Sequence, residues 1–494
     1  MWGDVAAGFA LFATLENVLF LAFGIGIGVV IGAVPGLSVT MAVSLALPFT
    51  FALDPVPAIV LLTGIYKGGQ YGGSITAILL RTPGTPAAAC TLLDGYPLAR
   101  SGQAARALDA ALYSSAVADL VSNVALIFFA GLIVAFARQF GPAEFFWLVC
   151  FSLTVVAAVS GESIAKGAMA AALGLFLSFV GRDLFYGSSR MTFGQLELAS
   201  GISLIPLLIG LFAVSEIIAH YARPPGATER VATAGPRLRW AEFRPLLSTA
   251  LRGSAIGVAI GAIPGTGGGI ASFVSYGDAQ RRSKAPERFG HGSLEGVAAS
   301  ESGNNGVAGA TLIPLLALGV PGDVVTAIML GAFMIHDLTP GPSLFDRDGP
   351  IVYAIFFGLV LSPIWLLLIG SIASRAFTRV SLIPPGVLMP IVLVFCTFGT
   401  YAVNNSMFDV GVMLAAGLLG FVMGRTGLPP APLVIAFVLG PLFEDNFRRC
   451  LRIGRGEIGY FFEDPVSWAF IALTTASLVG VALQRRRART GERG

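Results

Sequence analysis

The chain has 494 residues, of which 55% are hydrophobic and 12% charged, with a formal charge of +3 and a mean hydropathy of +0.80. A soluble domain carries about 25% charged residues, so this composition points to a polytopic membrane protein and away from a soluble fold or a nucleic-acid binder. Four scattered cysteines without a C-x-x-C pair and three dispersed histidines imply neither a disulfide framework nor a transition-metal site.

Apolar stretches near the roughly 20 residues needed to cross a bilayer lie near 8–31, 107–137, 143–160, 164–180, 200–221, 350–374, 386–403, 408–424 and 465–484. Shorter or interrupted ones lie near 35–52, 57–66, 72–81, 253–278, 305–319, 323–335 and 431–442. Together they predict an all-α protein with about 10–12 crossings plus re-entrant pieces. The N-terminus, Met1-Trp2-Gly3-Asp4, has no basic region ahead of its apolar run, so no cleavable signal peptide is expected.

Within the first run stands Val30-Ile31-Gly32-Ala33-Val34-Pro35-Gly36, followed by Gly64-Ile65-Tyr66-Lys67-Gly68-Gly69-Gln70-Tyr71-Gly72-Gly73-Ser74 and a Pro-Gly break at Pro83-Gly84. So many glycines expose backbone that lipid does not tolerate, so the segment must pack against protein or line a cavity. Close packing through small residues is one reading. A binding site is the other, with Ser38, Ser74, Thr82 and Thr85 supplying hydroxyls.

Residues 222–245 have the Pro, Gly and Arg content of a linker. They divide a first repeat, 1–221, from a second, 246–484, which is followed by a basic tail, 485–494. In the second half Ala259-Ile260-Gly261-Ala262-Ile263-Pro264-Gly265 repeats the first motif and Pro321-Gly322 repeats the break. Two such pairs at corresponding places are the sequence sign of a transporter whose site is built from broken helices at a repeat interface. Thr266, Glu301, Asn304 and Asn305 are the polar candidates here, although the asparagines could instead cap a helix. The glycine runs are not followed by Lys-Ser or Lys-Thr, and neither G-x-S-x-G nor H-E-x-x-H occurs. An ATP-driven machine or a hydrolase is therefore not indicated.

No Lys or Arg precedes Lys67, whereas the matching stretch of the second half carries Arg223, Arg230, Arg237, Arg239, Arg244, Arg252, Arg281, Arg282, Lys284 and Arg288. The positive-inside rule then makes the second stretch cytoplasmic at both ends and the first periplasmic at both ends. A re-entrant hairpin with Pro264-Gly265 at its tip satisfies Arg252 and Arg281 on one face. The same motif entering from opposite faces defines two inverted-topology repeats. The Arg485–Arg489 cluster places the C-terminus in the cytoplasm and the N-terminus on the periplasmic side.

The ordered blocks Gly32-Ala33-Val34-Pro35-Gly36-Leu37, Tyr71-Gly72-Gly73-Ser74, Thr82-Pro83-Gly84, Asp94-Gly95-Tyr96-Pro97, Glu295-Gly296-Val297-Ala298, Pro340-Gly341-Pro342 and Gly399-Thr400-Tyr401 resemble the large membrane subunit of the tripartite tricarboxylate transporters. The resemblance implies uptake of citrate-like or other carboxylates across the bacterial inner membrane. It further implies coupling to a cation gradient, usually Na⁺ with H⁺ as an alternative, and no other cofactor. A small four-helix membrane subunit and a periplasmic solute-binding protein are the implied partners, in a complex that could itself be oligomeric. The substrate would meet Ser38, Lys67, Ser74, Thr82, Thr85, Thr266, Asn304 and Asn305. A cation would sit among the carbonyls around Gly36, Gly84, Gly265 and Gly322, with Asp323. Alternating access would be a rigid-body movement, of elevator type or by rocking. A passive anion channel on the same broken helices is the competing class. The chain departs from the usual pattern at Lys67, Arg81, Ser300 and Asp323. Lys67 is therefore expected to pair with Asp323, to touch a substrate carboxylate, or to snorkel to the surface.

Overall fold

The computed structural model describes residues 2–34, 37–81, 84–159, 163–183, 185–222, 235–380 and 385–491. The described residues are helical almost throughout; their strands are one two-residue pair, Gly181–Arg182 with Ser189–Arg190. This bears out the all-α expectation. Five helices among them are long and apolar enough to cross a membrane, Leu15–Gly32 and Gly349–Ala376 included, and seven shorter apolar helices accompany them. Phe23, Phe128, Leu132, Phe136, Ile364, Leu368 and Ile372 are exposed. Such apolar bands are foreign to a water-facing monomer and fit a lipid-facing surface.

The centre is the helix Pro55–Leu80, buried at every position from Val56 onward. Leu15–Gly32 lies against it at a separation only glycine permits. A Cβ on Gly24 would stand 2.3 Å from the Leu61 carbonyl oxygen, on Gly28 2.3 Å from that of Ile65, and on Gly32 2.5 Å from that of Gly69. The second half repeats the spacing. Gly253, Gly257 and Gly261 of Leu247–Gly261 face Ser302, Gly303, Gly306 and Val307 of Leu294–Ala310. Small residues every fourth position put one flat face on each helix, and the backbones close up along it.

Element order and packing recur as well. The long helix Ala104–Ala137 packs on Leu294–Ala310 and Leu247–Gly261, while Gly349–Val380 packs on Leu15–Gly32 and Pro55–Leu80. Leu204–Tyr221, wound as π-helix over Ile209–Val214, packs on Met407–Thr426, while Pro430–Ile453 packs on Pro142–Val159 and Ile164–Ser178. Each half thus lends its later helices to the other.

Buried polar groups hold the loops. Asp94 on Ala88–Leu98 accepts the backbone N–H groups of Gly290, Gly292 and Ser293 at 2.8–2.9 Å and the Tyr276 hydroxyl at 2.9 Å. Its place in the Asp94-Gly95-Tyr96-Pro97 block is thereby a structural one. Arg237, just past the undescribed residues 223–234, ion-pairs with Asp109 at 2.5 Å and ties the linker to Ala104–Ala137. Outside the apolar belt, Asp183 accepts from Tyr186 and Phe185 N–H at 2.8 and 2.9 Å and from Arg448 at 2.6 Å. The Tyr186 amide leads in holding its carboxyl down, at about 2.

Candidate functional site

The second half brings its two breaks together, and in the first the described residues flanking the breaks meet. In the second, Pro264-Gly265 forms the turn between Leu247–Gly261 and Gly267–Arg282, and the Gly265 N–H donates to the Gly322 carbonyl at 2.6 Å. In the first, Gly84 donates to the Gly73 carbonyl at 3.3 Å, and a Cβ on Gly84 would fall 2.3 Å from the Gly32 oxygen. Gly36 and Thr82 lie outside the described residues, as do Pro35 and Pro83.

Helices restart beyond these breaks, and their caps are the residues the sequence singled out. The Ser38 Oγ accepts the Met41 N–H at 3.1 Å at the start of Val39–Thr50. The Thr85 Oγ1 accepts the Ala88 N–H at 3.1 Å. Both oxygens accept, so each hydroxyl still has its own hydrogen to give. Thr266 differs: its hydroxyl donates back to the Ile260 and Ile263 carbonyls at 2.5 and 2.9 Å, which leaves it an acceptor toward any ligand. Asp323 caps Val324–Ile335, its Oδ1 accepting the Thr326 N–H at 2.8 Å.

The four caps border one cavity of about 400 Å³, between Ser38–Thr40, Gln70 and Thr85–Ala87 of the first half and Gly265–Ile270 and Asp323–Val325 of the second. A volume in this range suits a small-molecule ligand. Among the described lining residues the one charged side chain is Asp323. Its Oδ2 takes the Tyr66 hydroxyl at 2.6 Å, and the N-terminus of Val324–Ile335 favours its negative charge. The remaining polarity is neutral: the hydroxyls of Ser38, Thr40 and Thr85, the Gln70 amide and the first amides of Gly267–Arg282.

Asn304 lies directly behind this wall, outside the lining itself. It is fully buried, both side-chain polar atoms lack a protein partner, and a Cβ on the lining residue Gly268 would meet its Oδ1 at 2.8 Å. An unpaired buried amide costs about 1–3 kcal/mol, and this one stands immediately behind the lining residue Gly268.

Lys67 is elsewhere. It is 1% exposed, so it does not snorkel, and the expected pair with Asp323 is not formed. Lys67 ion-pairs with Asp119 and donates to the Asn123 Oδ1 at 2.6 Å, while Asp323 is satisfied by Tyr66 and Thr326. Asp119 also accepts from Ser362 at 2.6 Å, so the ammonium joins three helices away from the lining. Arg81 ends Pro55–Leu80 in the left-handed region (φ 55°) and stacks over Tyr96 at 5.7 Å.

Asn305 and Ser74 belong to a second polar cluster around the fully buried Glu301. Thr91 bonds its carboxyl, the Ser115 hydroxyl reaches it at 3.2 Å and the Asn305 Nδ2 at 3.3 Å; Ser74 adjoins it. Sequence reasoning missed Gln70, Tyr66 and Asp119. Asp119 had a signal: an acid inside an apolar stretch demands a partner, and Lys67 is the lysine that needs one.

Comparison with known proteins agrees with this architecture. The model of the Tripartite tricarboxylate transporter TctA family matches residues 18–435. An Agrobacterium vitis protein named "Uncharacterized 52.8 kDa protein in TAR-I ttuC' 3'region" is 36% identical over 96% of this chain and 95% of its own length. A second protein of that organism, "Uncharacterized protein in TAR-II ttuC' 3'region", is 37% identical over 46% of this chain and 90% of its own length. No solved structure matches. The chain belongs to the tripartite tricarboxylate transporter TctA family, a family of transporter permeases.

Proposed function

We propose that this protein takes up small di- or tricarboxylates across the bacterial inner membrane as a secondary active transporter, with the substrate bound in the cavity between the two pairs of Pro-Gly breaks. Delivery by a periplasmic binding protein and assembly with a small membrane subunit follow from the family. The observation that carries the reading is the lining itself. Ser38 and Thr85 with free hydroxyl hydrogens, Gln70 and the amides opening Gly267–Arg282 converge from both halves on one space, with the unpartnered Asn304 directly behind Gly268. Neutral donors and helix N-termini are what carboxylate groups bind. A neighbouring cavity of about 500 Å³ shares Ser38 and is lined by both Arg425 and Glu216, so its charges are balanced. The matching glycine ladders and exchanged helices support two structural repeats, and the Lys/Arg asymmetry between the halves supports their inversion, with the N-terminus periplasmic and the C-terminus cytoplasmic. Lys67, held by Asp119, has a positioning role in this reading and makes no substrate contact.

The test is citrate counterflow and gradient-driven uptake by the assembled transporter in proteoliposomes, wild type against Asn304→Ala and Ser38→Ala. A hydrogen bond to a charged group contributes about 1.5–3 kcal/mol, so each substitution should weaken apparent affinity about 10- to 100-fold. Affinities unchanged in both variants would remove the cavity from the substrate path. Uptake that never exceeds the external concentration under any ion gradient would leave the channel reading standing instead.

A further inference from the structure

Glu301 stands apart from the substrate lining, and the transport reading leaves it without a task. It is fully buried on Leu294–Ala310, and among the described residues no Lys, Arg or His bonds it. Its charged surroundings are all engaged with one another: Asp94 with Tyr276 and three amides, Asp109 with Arg237 and Asp119 with Lys67. Toward the helix start, Glu295 accepts from Thr249 and Ser283, Arg252 donates to Thr249, and Asp278 pairs with Arg282. Tyr71 and Cys90 face Glu301 from Pro55–Leu80 and Ala88–Leu98. Neither brings a positive charge.

The hydrogens can be counted. Three oxygen contacts run in series, from the Glu301 Oε1 to the Thr91 Oγ1, from Thr91 to the Ser300 Oγ at 3.0 Å, and from Ser300 to the Val297 carbonyl at 3.0 Å. A hydroxyl owns one hydrogen. In one arrangement Ser300 gives its hydrogen to Val297, a carbonyl having none, and Thr91 gives its own to Ser300. The Glu301–Thr91 contact is then satisfied only by a hydrogen on Glu301. On the other side Oε2 accepts from Ser115 at 3.2 Å, whose oxygen is itself filled by Asn305 at 2.8 Å. A carboxylic acid satisfies all three contacts; an ionised carboxylate is held instead when Thr91 donates to it and Ser300 turns its hydrogen from Val297 to Thr91, so the cluster accommodates Glu301 with and without its proton.

We propose that Glu301 is the proton carrier of the transport cycle: a carboxylic acid in the arrangement described, which gives its proton up and takes it back once per cycle. The carboxyl passes between neutral and singly negative, and the proton is the co-transported cation. This rests on the transport reading above. It also connects to the substrate cavity, since Asn304 is three residues along the same helix and Thr91 follows the lining segment Thr85–Ala87 on the next.

Two measurements test it. Infrared spectra of the purified full chain in liposomes, across pH and in the absence of Na⁺, should show a carboxylic-acid C=O stretch that Glu301→Gln abolishes. Should that variant fail to fold, Thr91→Val, which removes the acceptor of the Glu301 hydrogen, should shift the same band. In proteoliposomes carrying the assembled transporter, without Na⁺, a pH gradient should drive citrate accumulation of up to about tenfold per pH unit for each proton. Glu301→Gln should bring the accumulation ratio down to about one while citrate counterflow continues. A wild type without the acid band at neutral pH, a band unmoved by both substitutions, or accumulation that persists in Glu301→Gln each overturns the proposal. Accumulation that requires Na⁺ under a fixed pH gradient overturns it as well. Absence of counterflow in the wild type would sink the transport reading instead, and the infrared result would still decide Glu301.

Discussion

The buried Lys67–Asp119 pair makes a quantitative prediction. Both side chains are almost fully inaccessible, 1% and 2% exposed, and they ion-pair. Lys67→Met leaves the Asp119 carboxylate with the Ser362 hydroxyl alone among its side-chain donors, at 2.6 Å. Breaking a buried pair at one end costs about 3–5 kcal/mol. Asp119→Asn is milder, since the Asn123 Oδ1 at 2.6 Å still faces the ammonium and an amide oxygen can take the place of the lost carboxylate oxygen. The double variant Lys67→Met with Asp119→Asn removes both charges, and such replacements are often neutral or stabilising. The expected pattern is a large loss for Lys67→Met, a smaller one for Asp119→Asn, and recovery of at least half the Lys67→Met loss in the double. The assay is reversible denaturation or melting of the detergent-solubilised chain, read as a double-mutant cycle. Additive losses would refute the pairing. A Lys67→Met protein as stable as wild type would refute the claim that the pair is buried.

Two further predictions follow from packing and from a surface carboxylate. Gly28→Ala puts a methyl 2.3 Å from the Ile65 carbonyl oxygen, while Gly26→Ala meets nothing within 4 Å. The first should cost about 1–3 kcal/mol or more and the second at most a few tenths, with helix propensity in its favour; equal melting temperatures would contradict the close approach of Leu15–Gly32 to Pro55–Leu80. Asp183, held down at about 2 chiefly by the Tyr186 amide, has a folded pKa below its unfolded one. Its contribution is therefore present above about pH 4 and lost as pH falls toward 2. Asp183→Ala should make the 181–190 hairpin protease-sensitive at neutral pH, whereas the wild type should become sensitive only in that acid window.

The duplication was legible because a broken helix leaves marks that composition does not hide: Pro-Gly, hydroxyls beside it and a charge asymmetry between halves. Ser38, Thr85, Thr266 and Asp323 were found this way, and the structure puts all four at one cavity. Adjacent asparagines show where the method stopped. One helical step turns a side chain by about 100°, so Asn304 meets the cavity wall while Asn305 meets Ser115 and Glu301. No pattern in the sequence says which of two neighbours faces which surroundings. The Lys67 partner was missed for a related reason. Asp119 is 52 residues away on a helix whose rotation is set by tertiary packing. Nor does a sequence say whether a threonine gives its hydrogen to its own backbone, and that single choice separates Thr266 from Thr85.

The cross-half contacts bear on how such a site moves. Ala88–Leu98, which follows the first Pro-Gly break, is docked on the second half: Tyr276 and the 290–293 amides bond Asp94, Thr91 bonds Glu301, and Ser272 donates to the Ala87 carbonyl at 3.0 Å. Reciprocally, Val324–Ile335, which follows the second break, packs on Val39–Thr50 and Pro55–Leu80 of the first half, with Tyr66 on Asp323. Rocking one half against the other would tear all of these buried polar contacts at once, each costing the desolvation of the group left behind. Moving the interlocked core as one body would keep them, and would slide apolar surfaces past the helices Pro142–Val159, Leu204–Tyr221, Met407–Thr426 and Pro430–Ile453. The second route breaks fewer hydrogen bonds than the first. It also gives Glu301 a reason to sit within the core: a proton buried there travels with the substrate cavity.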